Sequence, residues 1–123
     1  MTRVLIIDDN QMLTSLYRAA LAAAGFHVEV AHDGVSGLQI AQQRPPDVVL
    51  LDLMLPNMSG FEVLSTLRTD PVLARTPVIV LSNAYTAERT AEVLNLGATQ
   101  MLTKVNSSPK VVLDAVRQAV QRT

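Results

Sequence analysis

The chain has 123 residues, 49% of them hydrophobic and 17% charged, which supports one packed core and excludes an intrinsically disordered chain. Ten basic against 11 acidic side chains leave a formal net charge of -1, so no summed field draws it to nucleic acid and direct DNA binding is not expected. Cysteine is absent, which excludes disulfides, thiolate zinc sites and thiol nucleophiles and fits a reducing compartment.

Arg3 to Asp8 is a short β-branched and leucine-rich run ending in acids, the pattern of a strand buried on both faces. From Gln11 to Ala24 the residues Met12, Leu13, Leu16, Ala20 and Ala23 recur at three and four, which predicts a helix capped by Asp9 or Asn10 and stopped by Gly25. Phe26 to Val30 alternates apolar with polar and belongs near a sheet edge. Asp33-Gly34 turns the chain into a helix over Val35 to Gln43, which Pro45-Pro46 stops. Asp47 to Leu51 is a further buried strand, and Met54 to Gly60 reads as loop.

Phe61 to Thr69 is expected to be helical, ending before Asp70-Pro71, and Pro77 to Leu81 a strand with proline tolerated at its start. A helix over Thr86 to Leu96 stops at Gly97, Thr99 to Thr103 is a strand, and Ser107 to Arg122 is a helix with Pro109 in its first turn. The run Val4 to Ile7 is too short for a signal peptide, and nothing approaches the ~18 to 20 apolar residues of a membrane helix. A soluble cytoplasmic domain with no membrane partner is therefore expected.

Strands alternating with helices imply an α/β fold, a parallel sheet covered on both faces, whose ligands bind outside the carboxyl ends of the strands. Asp8, Asp9, Asp52, Ser82 and Lys104 all fall at those ends. Each has a plainer reading: an acid before a helix is ordinarily a cap, Asp52 suits a turn before Pro56, Ser82 suits a helix cap, and Lys104 suits a solvated strand end. Three acids on one sheet edge change that balance. Carboxylates crowded at ~4 to 6 Å resist ionisation unless a cation compensates them, so the set asks for a divalent metal. His27 and His32 read as polar-side residues away from this site, and Met12, Met58 and Met101 as packing residues.

The ordered motifs are Asp8-Asp9, the run Asp52-Leu53-Met54-Leu55-Pro56-Asn57-Met58-Ser59-Gly60, Ser82-Asn83-Ala84 and Lys104. With these, the chain resembles the receiver domain of two-component response regulators along essentially its whole length, residues 1–123. The resemblance implies a flavodoxin-like (βα)5 doubly wound sandwich with strand order 2-1-3-4-5. It implies a phosphoaspartate switch, in which Asp52 accepts a phosphoryl group from a sensor histidine kinase or a histidine phosphotransfer protein. It also implies Mg²⁺ held by Asp9, Asp52 and the backbone carbonyl of Met54, with Asp8 acting through water. Lys104 and the Ser82 hydroxyl would meet phosphoryl oxygens, and the face formed by the fourth helix, fifth strand and fifth helix would address an output domain or protein partner, or a second copy in a homodimer.

Val105 follows Lys104 where the family usually has proline after a cis bond. A cis bond to a non-proline residue costs about 3 to 4 kcal/mol, so a trans bond, or strain, is expected there. Met101 stands where the family usually has a switching aromatic, for which Tyr85 is the nearest substitute in sequence. Met54 and Ala84 flank the acceptor without a polar group to position a hydrolytic water, which predicts a long-lived phosphoaspartate.

Two other readings compete. An aspartate-nucleophile phosphohydrolase would carry a second acid two residues beyond Asp52, where Met54 stands. A binding module is the other: a flavin-type phosphate cradle is opposed by Asp8-Asp9-Asn10-Gln11, whereas a receiver-like interaction scaffold that is never phosphorylated would fit the departures at Met101 and Val105.

Overall fold

Three strands, buried throughout except at Arg3, stand at the centre of the molecule: β1 (Arg3–Ile7), β3 (Val48–Asp52) and β4 (Val78–Ser82). In the computed structural model, which describes residues 2–83 and 86–121, β2 (His27–Ala31) and β5 (Gln100–Thr103) flank them. All pairings are parallel and the order is β2-β1-β3-β4-β5. The alternating strand over residues 27–31 is an edge strand, as its half-wet pattern requires.

Helices α1 (Gln11–Ala23) and α5 (Pro109–Gln121) cover one face, packing Tyr17, Leu21, Val112 and Val116 on Val4, Ile6, Leu50 and Ile79. Helices α2 (Gly34–Gln43), α3 (Gly60–Thr69) and α4 (Ala87–Asn95) cover the other, packing Leu38, Leu64, Leu67 and Val93 on Leu5, Ile7, Leu51 and Val80. The fold is therefore the flavodoxin-like doubly wound sandwich. No helix among the described residues is long and apolar enough to cross a membrane.

The caps follow the sequence signals. Asn10, Asp33, Ser59 and Thr86 each accept a backbone N–H from the first turn of their helix. Thr86, and not Ser82, caps α4. Gly25 and Gly97 both adopt positive φ, 95° and 103°, where an L side chain is disfavoured, and so end α1 and α4.

Most boundaries move by one or two residues. β3 and β4 run on to Asp52 and Ser82, because Asp52 still pairs with Leu81 and Ser82 with Thr103 in the ladder. α5 begins at Pro109; the expected last residue of that helix, Arg122, lies outside the described residues, as do Ala84 and Tyr85.

The phase of α1 is the larger correction. The expected apolar face included Met12, Leu16 and Ala23, but Met12 is 78% and Leu16 53% exposed, and Ala23 is exposed too. The inward face is instead Leu13, Thr14, Tyr17, Ala20, Leu21 and Ala24. That set also repeats at three and four, and it wins because Tyr17 supplies the largest area to bury and its hydroxyl finds a carbonyl inside. Met58 and Met101 do pack on the core, whereas Met12 does not.

At the strands' amino ends, the Arg68 guanidinium donates to the carbonyls of Gly97 (2.8 and 2.9 Å), Thr76 (2.8 Å) and Leu73 (3.3 Å). It stitches the α3–β4 connection to the α4–β5 connection, and burial pulls its pKa down. The sequence marks it only as a basic residue in the last turn of α3, which is a common helix feature.

Candidate functional site

The strand order places β1 and β3 side by side with their following helices on opposite faces, which opens a crevice at their carboxyl ends. Ile7 pairs with Leu51, so Asp8 emerges level with Asp52. Two buried carboxylates thus meet at the topological switch point, Asp8 1% and Asp52 4% exposed. Asp9, next along the chain, is exposed, and its carboxylate, with those of Asp8 and Asp52, forms a cluster whose oxygens lie within 4.8 Å of one another.

Lys104 follows the last residue of β5 and reaches across β4 to both buried acids: its Nζ is 2.8 Å from Asp8 Oδ2 and 3.1 Å from Asp52 Oδ2. The lysine is positioned by its backbone, since its N–H donates to the Ser82 carbonyl at 3.0 Å. Ser82, 2% exposed, closes the row at the end of β4. Met54 lies just beyond β3; its N–H donates to Asp52 Oδ1 at 3.2 Å, while its side chain is 71% exposed. Asn10 N–H donates to Asp8 Oδ1 at 2.9 Å. The residues singled out in the sequence are therefore assembled at one sheet edge.

The charges follow from that packing. Burial pushes the Asp52 carboxyl up and the Asp8 charge adds to it; the Met54 N–H and the Lys104 ammonium oppose them without cancelling them. For Lys104, burial pulls down, but the hydrogen bond and charge of Asp8 together with those of Asp52 hold the ammonium above its ordinary value. Asp8 Oδ2 is buried with no well-angled hydrogen bond, and among the described residues only the Lys104 ammonium stands against its charge. Among the described residues, one ammonium thus pairs with Asp8 and Asp52, and Asp9 adds a third carboxylate beside them.

That imbalance is the observation against which a metal can be tested. An all-oxygen donor set, with one incompletely satisfied buried oxygen and one exposed carboxylate open to water, fits a hard divalent cation such as Mg²⁺, which keeps several waters and takes few carboxylates.

Two residues outside the expected set touch the site. The His32 ring nitrogen Nδ1 lies 3.1 Å from the Asp8 carbonyl, so this histidine is not as remote as its place beyond the edge strand suggests; His27 is exposed and away from it. Tyr17 donates from its hydroxyl to the Ser107 carbonyl at 2.8 Å and so ties the loop after Lys104 to α1. The Lys104–Val105 bond is trans and Val105 is 84% exposed, so the loop bears no cis bond. Met101 pairs with Val80 and packs, partly buried, on the core beneath α3 and α4.

The profile of the response regulator receiver domain family matches residues 4–117. The chain belongs to that family. It is 37% identical over 123 residues to the DNA-binding dual master transcriptional regulator RpaA of Synechocystis sp., covering 100% of this chain and 51% of the relative. It is 39% identical over 122 residues to the transcriptional regulatory protein KdpE of Mycobacterium tuberculosis, covering 99% of this chain and 52% of that one. The chain spans about half the length of the curated relatives it matches.

Among solved structures, the chemotaxis response regulator CheY4 of Vibrio cholerae superimposes with a TM-score of 0.90 at 31% identity, covering 97% of this chain and 98% of that one. The receiver domain of the Francisella response regulator 1452 gives 0.92 at 29% identity, covering 99% and 98%. Receiver domains bind Mg²⁺ through an acidic pocket and act with histidine kinases and output domains.

Proposed function

We propose that residues 1–123 form one receiver domain that acts as a phosphorylation-dependent switch, with Asp52 as the phosphoryl acceptor. The observation that carries this reading is the buried Asp52 carboxylate beside Asp8 at the switch point, with the Lys104 ammonium 3.1 Å from it. An oxygen of Asp52 attacks phosphorus in line; the bond from phosphorus to the donor's imidazole nitrogen breaks, and the nitrogen keeps the electron pair. The donor is a sensor histidine kinase or a histidine phosphotransfer protein. Phosphoryl transfer asks little of the protein beyond positioning and charge cancellation, which is what a fixed carboxylate and a fixed ammonium provide.

Asp8, Asp9, Asp52 and the Met54 carbonyl are the groups that would hold Mg²⁺, whose charge would offset that of the phosphoryl oxygens. Lys104 pairs with one phosphoryl oxygen and so leaves Asp8, while the Ser82 hydroxyl donates to another. These shifts are passed to the face formed by α4, β5 and α5, which addresses an output domain or partner. The chain works on its own phosphoryl group and turns over no separate substrate.

The test is incubation with MgCl₂ and acetyl phosphate followed by intact mass. Wild type is expected to gain one phosphoryl group and Asp52→Asn none; an unmodified wild type, or a modified variant, overturns the assignment and leaves an interaction scaffold as the reading. A second expectation concerns decay. The exposed Met54 thioether offers no strong hydrogen bond to an attacking water, so the adduct should be long-lived and Met54→Asn should shorten its lifetime roughly several-fold. Decay followed by mass after removal of acetyl phosphate checks this, and equal lifetimes would count against a role for this position.

A further inference from the structure

The loop that carries Lys104 is anchored by α1, the helix that lies beside α5 on the same face of the sheet. Lys104 is bound at its own N–H to Ser82, its carbonyl accepts from Ser107 N–H at 3.4 Å, and Ser108 caps the first turn of α5. Between these points Val105 is 84% exposed and packs on nothing substantial. Ser108 is held by the first turn of α5, which follows it directly, whereas the Ser107 carbonyl is met from far along the chain, by the Tyr17 hydroxyl 2.8 Å away across 90 residues of sequence.

Tyr17 is 1% and Ser107 6% exposed, so the bond is shielded from water and has no solvent substitute. Burial raises the phenol's pKa, which keeps the hydroxyl protonated as the donor of this bond.

We infer that Tyr17 is a positioning residue for Lys104: by holding the Ser107 carbonyl it fixes the 104–108 loop and so the place of the ammonium between Asp8 and Asp52. The inference rests on the proposed phosphoryl transfer to Asp52 and adds a residue of α1 to the groups that govern its rate. Tyr17 touches neither phosphoryl donor nor acceptor. Its effect runs through the loop alone, so it should alter the rate of transfer without altering how the carboxylates take up a divalent ion.

The experiment compares wild type, Tyr17→Phe and Leu21→Val, the last a destabilising control one helical turn further along the same buried face of α1. Adduct accumulation with acetyl phosphate is timed at saturating MgCl₂, well below each unfolding midpoint, and Mg²⁺ affinity is measured by calorimetry. Tyr17→Phe is expected to lower the limiting rate roughly ten-fold, with Mg²⁺ affinity and the Leu21→Val rate both within about two-fold of wild type. A Tyr17→Phe rate within two-fold of wild type, or slowed no more than in Leu21→Val, or matched by an equal loss of Mg²⁺ affinity, overturns the inference while the acceptor assignment stands. No adduct on wild type overturns both.

Discussion

Lys104→Met is expected to lower the unfolding free energy of the metal-free domain by about 3 to 5 kcal/mol, the range for removing one partner of a buried ion pair. The methionine keeps most of the stem's packing but leaves Asp8 and Asp52, 1% and 4% exposed, facing each other without the ammonium that lies 2.8 and 3.1 Å away. Three accompanying results give this loss its electrostatic signature. MgCl₂ should restore a large share of it, since a divalent cation can replace the missing charge. Asp52→Asn in the same chain should also restore part, because the repulsion then disappears.

The third result is the pH dependence. The Asp52 pKa is already raised in the native state by burial and by Asp8, and loss of the lysine raises it further. An acid whose native pKa lies above its unfolded one favours folding below the unfolded value, and that advantage is lost as pH rises through the native value. The variant should therefore regain stability on acidification toward the ordinary aspartate range, more steeply than wild type. Urea unfolding of Lys104→Met and of Lys104→Met/Asp52→Asn across pH, with and without MgCl₂, measures all three, and a pH-independent loss would show that packing rather than charge is at stake.

Gly60→Ala should be nearly as damaging, for steric reasons. A Cβ at Gly60 would lie 2.5 Å from the Leu53 Cα and 3.0 Å from the Asp52 carbonyl carbon, and closer still to the Asp52 carbonyl oxygen. All three are backbone atoms, so no rotamer change relieves the contact. The Gly60 N–H also donates to the Leu53 carbonyl at 2.9 Å, locking the start of α3 against the end of β3. A cost of about 3 kcal/mol is expected, the upper part of the range for overpacking, with the midpoint falling by roughly 10 °C or more. Phosphoryl uptake should fall with it even in the folded fraction, because relief of the clash displaces Asp52, Leu53 and Met54 together. Thermal unfolding and intact mass after acetyl phosphate treatment test the two effects; a variant of wild-type stability would mean that α3 can shift at no cost.

Much of this arrangement can be read from the order of residues. Strands buried on both faces carry no alternation, so Val4 to Ile7, Val48 to Leu51 and Val78 to Leu81 stand out as uninterrupted apolar runs, and the polar residue ending each marks the functional edge. What sequence does not disclose is rotation and reach. α1 contains two apolar sets of helical period one residue out of step, and only docking on the sheet decides between Met12 with Leu16 and Leu13 with Tyr17. The partner of the Tyr17 hydroxyl lies 90 residues away and is a backbone carbonyl, for which no side-chain motif exists. Arg68 escapes notice for the same reason, since every group it binds is a carbonyl.

That arginine also sets the mechanics of α4. The helix starts beyond Ser82 at the carboxyl ends of the strands and finishes at Leu96 and Gly97 at their amino ends, where two guanidinium hydrogen bonds grip the Gly97 carbonyl. A Cβ at Gly97 would fall 2.8 Å from the Arg68 Nε, so the guanidinium lies close against the Gly97 backbone. Held at that end, α4 would act as a lever: a displacement at its Ser82 end would be taken up by the first turn, where Arg89 lies 5.3 Å from the centre of the Phe61 ring.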